Sequence, residues 1–391
     1  MTKSVIFYSV IVLLLLASGC SQCSNGKKSS EMHTGTQEEP SDSSKYIRAT
    51  PQWGFIDTLG RLQISGHFED ADHFSENMAA VKQQNMWGFI NTNGEIVIPC
   101  TFKGTWAFRE GIARVLNKDD KIGFIDKKGR FLIPPVYENA SDFHEGKAVA
   151  ETERGLIYID RKGKKALEGY FEQASDFENG IAKVKLLGKF GIIKTDGSWL
   201  LKPKYQHINV QPNGYLVCIL RDKGVVFNYR GQQQANLKNC MVLHYHPKSI
   251  LCEKDGVQRL TDRKNRIRSD STFEEITPFG DTIWQVRSGN YYGLLSCSGK
   301  LLIPIQFRQL YRISENRIAF RHGDLWGFMD EQLNIIVKPI YNLAWSFQGG
   351  FARVTDQKGF GYLNWRGELI SAQRYKDARD FSEGLARVRL R

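Results

Sequence analysis

The sequence predicts an all-β protein made of about ten tandem units of 34 residues, each with roughly three short antiparallel strands. Three observations point there: a glycine recurring at steps of 34 or 35, an Asp-x-x-Gly turn just after it, and short apolar runs bounded by Gly and Pro. The glycines are Gly54, Gly88, Gly123, Gly191, Gly293, Gly327 and Gly361, with Ile157 and Val225 holding the place in two drifted copies. A further copy near Arg259 has lost its opening. Residues 54–391 number 338, close to ten units of 34, and ten is the expected count.

Each unit opens Gly-aromatic-Ile-Asp-x-x-Gly, as in Gly54-Phe55-Ile56-Asp57 with Gly60 and Gly123-Phe124-Ile125-Asp126 with Gly129. The Asp accepts bonds from the backbone ahead of it and the Gly takes positive φ, so the segment predicts a hairpin turn between two strands. Pro99, Pro134, Pro203, Pro304 and Pro339 are expected to stop the second strand, because proline cannot donate to a ladder. Apolar residues three apart follow, such as Tyr137-Ala140-Phe143 and Tyr375-Ala378-Phe381, which suits a compact helical turn or tight loop. A glycine then precedes a third strand, Gly111-Ile112-Ala113-Arg114-Val115 or Gly384-Leu385-Ala386-Arg387-Val388. Its alternation implies one buried and one wet face.

The chain has 391 residues, a formal net charge of +12, 41% hydrophobic and 25% charged residues, which excludes wholesale disorder and a collagen-like repeat. A polytopic membrane protein is also excluded, since the one long apolar run, Val5–Leu16, is short of the ~20 residues that span a bilayer. That run follows Lys3 and closes Leu16-Ala17-Ser18-Gly19-Cys20, so residues 1–19 read as a signal peptide. Small residues before a cysteine resemble the lipobox of bacterial lipoproteins. The resemblance implies lipidation at Cys20 and export to the periplasmic side or the cell surface, an ordinary secretory signal being the alternative. Residues 20–52 form a polar linker unable to bury a core. Cys20 and Cys23 also spell C-x-x-C, but a linker lacks the folded setting that redox motif needs. The repeat array is expected over residues 53–391, with 191–290 degenerate.

The pattern resembles the WG-repeat family of bacterial proteins, also called KWG repeats, named for the Trp-Gly seen here at Trp53-Gly54, Trp87-Gly88 and Trp326-Gly327. Ile122, Phe190, Tyr292 and Phe360 replace the Trp in other copies. The resemblance implies all-β repeats and no established catalytic chemistry. A unit of 34 residues cannot cover its own apolar face, so neighbours must stack. Ten short units favour an open or superhelical stack, because closed propellers usually have four to eight blades. A closed propeller-like array is the alternative.

Few residues suggest chemistry. Asp57, Asp126, Asp160 and Asp330 recur at the turn, where Asn91, Asn228 and Asn364 replace them, so a structural role is expected. His244 and His246 alternate on one strand without a recurring third metal ligand. No nucleophile elbow, Walker loop, dinucleotide fingerprint or zinc-protease motif is present. No enzyme activity, metal or cofactor is therefore expected. Cys218 and Cys252, 34 apart, could pair in an oxidising compartment, but two buried thiols are the favoured state.

The polar slot of the third strand holds Arg114, Lys183, Arg353 and Arg387. It is either a cationic binding surface or an edge that resists sheet-to-sheet pairing. Trp106 and Trp345 follow the small core residue and either point outward, as sugar-binding aromatics do, or pack between units. The expected function is a membrane-anchored, non-catalytic scaffold at the cell envelope for an unknown protein partner or envelope polymer. A carbohydrate- or cell-wall-binding accessory is the alternative, and a cryptic enzyme in the degenerate units a minor one. Nucleic acid is not expected as a partner, because the signal exports the chain away from it.

Overall fold

The computed structural model describes residues 52–390 other than 222, 239, 265, 270–272 and 281. The chain divides into two units, Met1–Arg48, which lies outside the described residues, and Ala49–Arg391. All regular structure among the described residues is β. The strands form ten antiparallel sheets: seven of four strands, two of three and one of two. Ten sheets match the ten expected units, including three in the degenerate stretch.

The number of strands per sheet exceeds the expected three. The Tyr-x-x-Ala-x-x-Phe segment is not a helical turn: it runs extended and contributes a short strand, such as Gly104–Thr105 or Leu343–Ala344, to the edge of its sheet. Its Ala and Phe are nonetheless core residues, Ala140 and Phe143 both being buried. The prolines are also placed differently. Pro99 lies within the strand Ile96–Phe102, where the register against Met86–Asn91 shifts between the Trp87 and Phe89 pairs. Proline is tolerated there because an irregular, outer strand leaves its missing N–H unneeded.

That irregular strand explains the glycine after the Trp. A Cβ on Gly54 would lie 2.6 Å from the Ile64 carbonyl oxygen, and one on Gly293 would lie 2.8 Å from that of Ile303. The two hairpin strands approach too closely for any side chain.

Sheets do not coincide with sequence units. One sheet runs Asp70–Ser75, Met78–Gln83, Met86–Asn91, Ile96–Phe102, taking the end of one unit and the hairpin of the next. The same division leaves an unpartnered hairpin at the start of the array and two lone strands at its end. These join: Asp377–Ala378 and Leu385–Arg389 complete a four-stranded sheet with Trp53–Asp57 and Leu62–Phe68. Gly54 pairs with Val388 and Phe55 with Arg387, the register that Gly88 and Phe89 keep with Val81 and Ala80 inside the array.

The cores say the same. Ten apolar clusters each join two neighbouring sheets. An open row of ten sheets would have nine such interfaces, and the tenth joins the first hairpin to the sheets on either side of the chain ends. Ile56 packs with Tyr362, Tyr375 and Phe381, while Leu385 packs with Phe55, Phe74 and Val81. No sheet curls into a barrel, and the array is the repeat stack expected. Its two ends are also bonded to each other through the strands Trp53–Asp57 and Leu385–Arg389, a feature of the closed alternative. The physical reason is the half-unit offset: an unpaired hairpin and two unpaired strands each expose an edge that the other satisfies.

Stacking also covers the third strand on both faces. Met78–Val81 is buried throughout, as are Ala148–Ala150 and Leu216–Cys218. The expected wet face is therefore mostly absent. Between sheets, aromatic rings meet edge to face, with Phe89 and Phe108 centroids 4.8 Å apart and Tyr362 and Phe381 4.9 Å apart.

Candidate interaction surface

The hairpin turns fix their own geometry. Asp57 Oδ1 accepts the amides of Leu59 and Arg61, each at 2.9 Å, and Asn91 Oδ1 accepts those of Asn93 and Glu95, each at 3.0 Å. Asp126 and Asp160 bond their turns in the same way. In the degenerate stretch Asp262 does so too, and bonds from the Arg266 and Lys264 amides, with the Arg266 guanidinium, hold its carboxyl at about 2. The recurring acid is a turn lock, because an amide oxygen serves as well as a carboxylate oxygen.

The basic slot of the third strand is occupied by ties between units. Arg114 donates to the Ala140 carbonyl oxygen and pairs with Asp142 at 3.0 Å, both in the next unit. Arg353 donates to the Ala378 carbonyl at 2.5 Å, and its Nε lies 3.1 Å from Asp380. Across the chain ends Arg387 reaches Asp70 at 3.4 Å. Lys183 donates to the Ile208 carbonyl at 3.3 Å, and Gln285 to that of Leu310 at 3.2 Å. The accepting carbonyls are equivalent, 25 or 26 residues ahead of the donor. Side-chain exposures of 14%, 9% and 19% for Arg114, Arg353 and Arg387 show that these are not an open cationic face.

Trp106 and Trp345 are half-buried, each with a guanidinium over its ring: Arg114 lies 3.9 Å from the Trp106 centroid and Arg353 lies 4.2 Å from that of Trp345. The Arg therefore links the ring of its own unit to the acid of the next. Trp345 also lies beside Phe360, centroids 5.8 Å apart. It lines a cleft of about 500 Å³ with Tyr311, Arg312 and Asp380.

A second set of ties escapes the sequence analysis. The acid in the Glu-Gly or Glu-Asn turn before the third strand reaches the same turn of the next unit. Glu76 accepts the Gly111 amide at 2.9 Å, Glu110 that of Gly146 at 2.9 Å, and Glu145 that of Gly180 at 3.0 Å. Glu315 holds both Gly349 and Gly350, at 2.8 and 2.9 Å. Glu383 holds Glu76 and Asn77 across the chain ends. Ser75 and Ser314 hydroxyls donate to the Phe108 and Phe347 carbonyls, and Ser382 to that of Phe74. The signal was present: Glu recurs in one column of the repeat at positions 76, 110, 145, 315 and 383. An isolated surface acid gives no hint of a partner 35 residues away.

His244 and His246 do not converge on a ligand set. Gln211 Nε2 lies 2.7 Å from His244 Nδ1, and the Trp284 ring meets the imidazole edge to face at 5.5 Å. Burial, with the nearby Arg312 and His246, pushes His244 down to about 4. Among the described residues no three His, Cys, Asp or Glu side chains gather as a metal site, and no helix is long and apolar enough to cross a membrane. Cys252 is bonded to Cys240, a pairing not foreseen, and Cys218 is a buried thiol pushed up to about 12 by burial. The Cys218–Cys252 disulfide weighed from the sequence is thus not formed. Cys218 and Cys252 sit in equivalent strands, whereas Cys240, which forms a β-bridge with Lys223 of the preceding sheet, comes just before the strand paired with that of Cys252. The signal peptide and Cys20 lie outside the described residues.

Solved structures offer only distant likenesses. The computationally designed Ika8 protein is 15% identical, covers 67% of this chain and 93% of its own, and gives a TM-score of 0.35. BamB from Moraxella catarrhalis is 10% identical over 66% of this chain and 96% of its own, TM-score 0.33. A eukaryotic initiation factor is 8% identical over 87% and 98%, TM-score 0.45. At those scores none bears on architecture, which rests on the strand pairing above. No curated protein matches the chain. The model of the WG containing repeat, by contrast, matches residues 53–87, 87–121, 122–153, 158–190, 292–326, 326–356 and 360–391, passing over only the eroded units between. More than half of the sequence is matched, in the register that the glycines define, and the chain belongs to the WG-repeat family.

Proposed function

We propose that the protein is a non-catalytic scaffold at the bacterial cell envelope, held to a membrane by lipidated Cys20 and binding a protein partner on its repeat array. The observation that carries this reading is the outer strand of the hairpins. It is a free sheet edge, and its first residues are apolar and exposed in unit after unit: Ile96 and Val97, Phe131 and Leu132, Leu301 and Leu302. Natural sheets usually blunt such edges, and repeated exposed apolar pairs are what a protein surface recognises. The alternation of these pairs with basic turns, such as Lys127-Lys128-Gly129-Arg130, adds a charged rim.

A carbohydrate-binding role is the second reading, favoured by one feature, the cleft that Trp345 shares with Tyr311. Crosslinking and pull-down from membranes, in parallel with a glycan array, separates the two. A stoichiometric protein partner supports the scaffold. Glycan binding that Trp345→Ala abolishes, with no protein recovered, replaces it. Cys20→Ser is expected to move the protein from the membrane to the soluble fraction, and retention in the membrane would refute the anchor.

A further inference from the structure

The basic slot has one member without its acid. Arg114, Arg353 and Arg387 each meet a carboxylate of the following unit, at 3.0, 3.1 and 3.4 Å. Lys183 makes the equivalent carbonyl bond to Ile208, yet among the described residues no carboxylate lies within ion-pair distance of its Nζ. The cause is visible in the repeat. Two residues beyond the accepting carbonyl stand Asp142 for Arg114 and Asp380 for Arg353, and Val210 for Lys183.

The place is also open. A cleft of about 680 Å³ is lined by Lys183, Asn209 and Val210 together with Arg109 and His144. Asp176 and Glu178 also line it, but Asp176 faces His144 at 3.7 Å rather than Lys183. An ammonium taken partly out of water without a counter-ion is costly, and a carboxylate entering the cleft would regain the ion pair that the other units make internally. Burial holds the Lys183 amine below its ordinary range, and burial together with Lys183 does the same to the His207 imidazole. The His207 shift fits a nearby cation with no acid to offset it.

We infer that this cleft receives a carboxylate side chain of an acidic peptide segment, which takes the position of the missing Asp against Lys183. The inference rests on the scaffold reading and names the partner's chemistry at one site. Asn209 also lines the cleft and can add a hydrogen bond, as can Arg109 and His144, which face Asp142 at 3.9 Å and Asp176 at 3.7 Å. The internal pairs set the expected geometry: a charge-assisted bond of about 3 Å.

The test is binding of fluorescent hexaglutamate to the full-length protein at low salt, with hexaglutamine and a hexameric uronate as controls. Lys183→Met removes the cation. Val210→Asp supplies the acid from within, as Asp142 and Asp380 do, and so should occupy the site. Both are expected to weaken hexaglutamate binding by about tenfold or more, with the circular dichroism spectrum unchanged. Lys162→Met, on an exposed turn outside the cleft, is expected to change it less than about twofold. No binding of hexaglutamate overturns the site, and so does binding by Lys183→Met and Val210→Asp as tight as that of the unchanged protein, since general attraction to a basic protein would then explain the affinity. Binding of the uronate in place of the peptide overturns the peptide assignment. If a membrane pull-down recovers a partner that both variants retain, the scaffold stands and the site falls. If hexaglutamate binds as expected while no partner is recovered, the site stands and the scaffold reading falls.

Discussion

Glu383, near the end of the chain, accepts the backbone amide of Glu76 at 2.7 Å, 307 residues earlier, and Glu76 in turn accepts that of Gly111. One acid-to-turn contact is thus repeated across the junction of the array's two ends as if no break existed. The equivalence extends to the strand register, the Ser382 bond to Phe74 and the aromatic cores.

Because the two ends of the array are bonded to each other, Glu383→Ala should cost about as much as the same change inside the array. Glu315→Ala is the matched control, since it too loses two amide bonds. Each substitution is expected to destabilise by about 1–2 kcal/mol, read by urea unfolding. A cost for Glu315→Ala with none for Glu383→Ala would show the termini apart.

Arg353 is the most enclosed of the inter-unit cations. Replacing it by Ala leaves Asp380 without its ion pair and removes one of the two guanidinium donors to the Ala378 carbonyl, Arg379 being the other, beside an uncovered Trp345. The loss is expected to be about 2–3 kcal/mol, well above that of an exposed Arg such as Arg61, whose pair with Asp57 should contribute under about 1 kcal/mol. Similar costs for both would show that the slot is not a structural tie.

Asp126→Asn should keep the hairpin, because the amide oxygen can still accept the Lys128 and Arg130 amides, as Asn91 does in its own unit. Asp126→Ala removes the acceptor and should cost about 1 kcal/mol. Thermal melts of the two variants side by side decide it. Equal behaviour would mean that the charge, not the turn, is what matters there.

His244 titrates at about 4, below its ordinary 6.5. The neutral form is therefore favoured by folding, and the unfolded chain binds more protons between these values. Stability contributed by this group is complete above about pH 6.5 and falls as pH drops toward 4. His244→Gln should flatten that part of the stability profile. A slope unchanged by the substitution would assign it to other groups.

The Cys240–Cys252 bond closes a short loop, with a sequence separation of 12, in the eroded part of the array. Reduction is expected to destabilise by about 3 kcal/mol. Native alkylation should label Cys100 and Cys297, while Cys218 should react only after unfolding, as a buried thiol held mostly protonated does. Labelling of Cys240 or Cys252 without a reductant would refute the bond.

The sequence by itself determined the local elements. Gly54 and its equivalents, the Asp-x-x-Gly turns and the apolar runs specify hairpins, since each signal acts within a few residues and has one physical meaning. It also determined the family and the number of units, because a periodic pattern survives the drift of single copies. Tertiary structure alone decided what lies across a unit boundary. Arg114 looks like a wet-face cation until Ala140 and Asp142 are seen to receive it, and Glu383 looks like a surface acid until Glu76 is seen beside it. Closure is of the same kind: nothing in residues 53–68 or 377–389 differs locally from an internal unit. Whether their edges meet depends on the small rotation accumulated from sheet to sheet through ten packed cores, a property of the stack that no short stretch of sequence encodes.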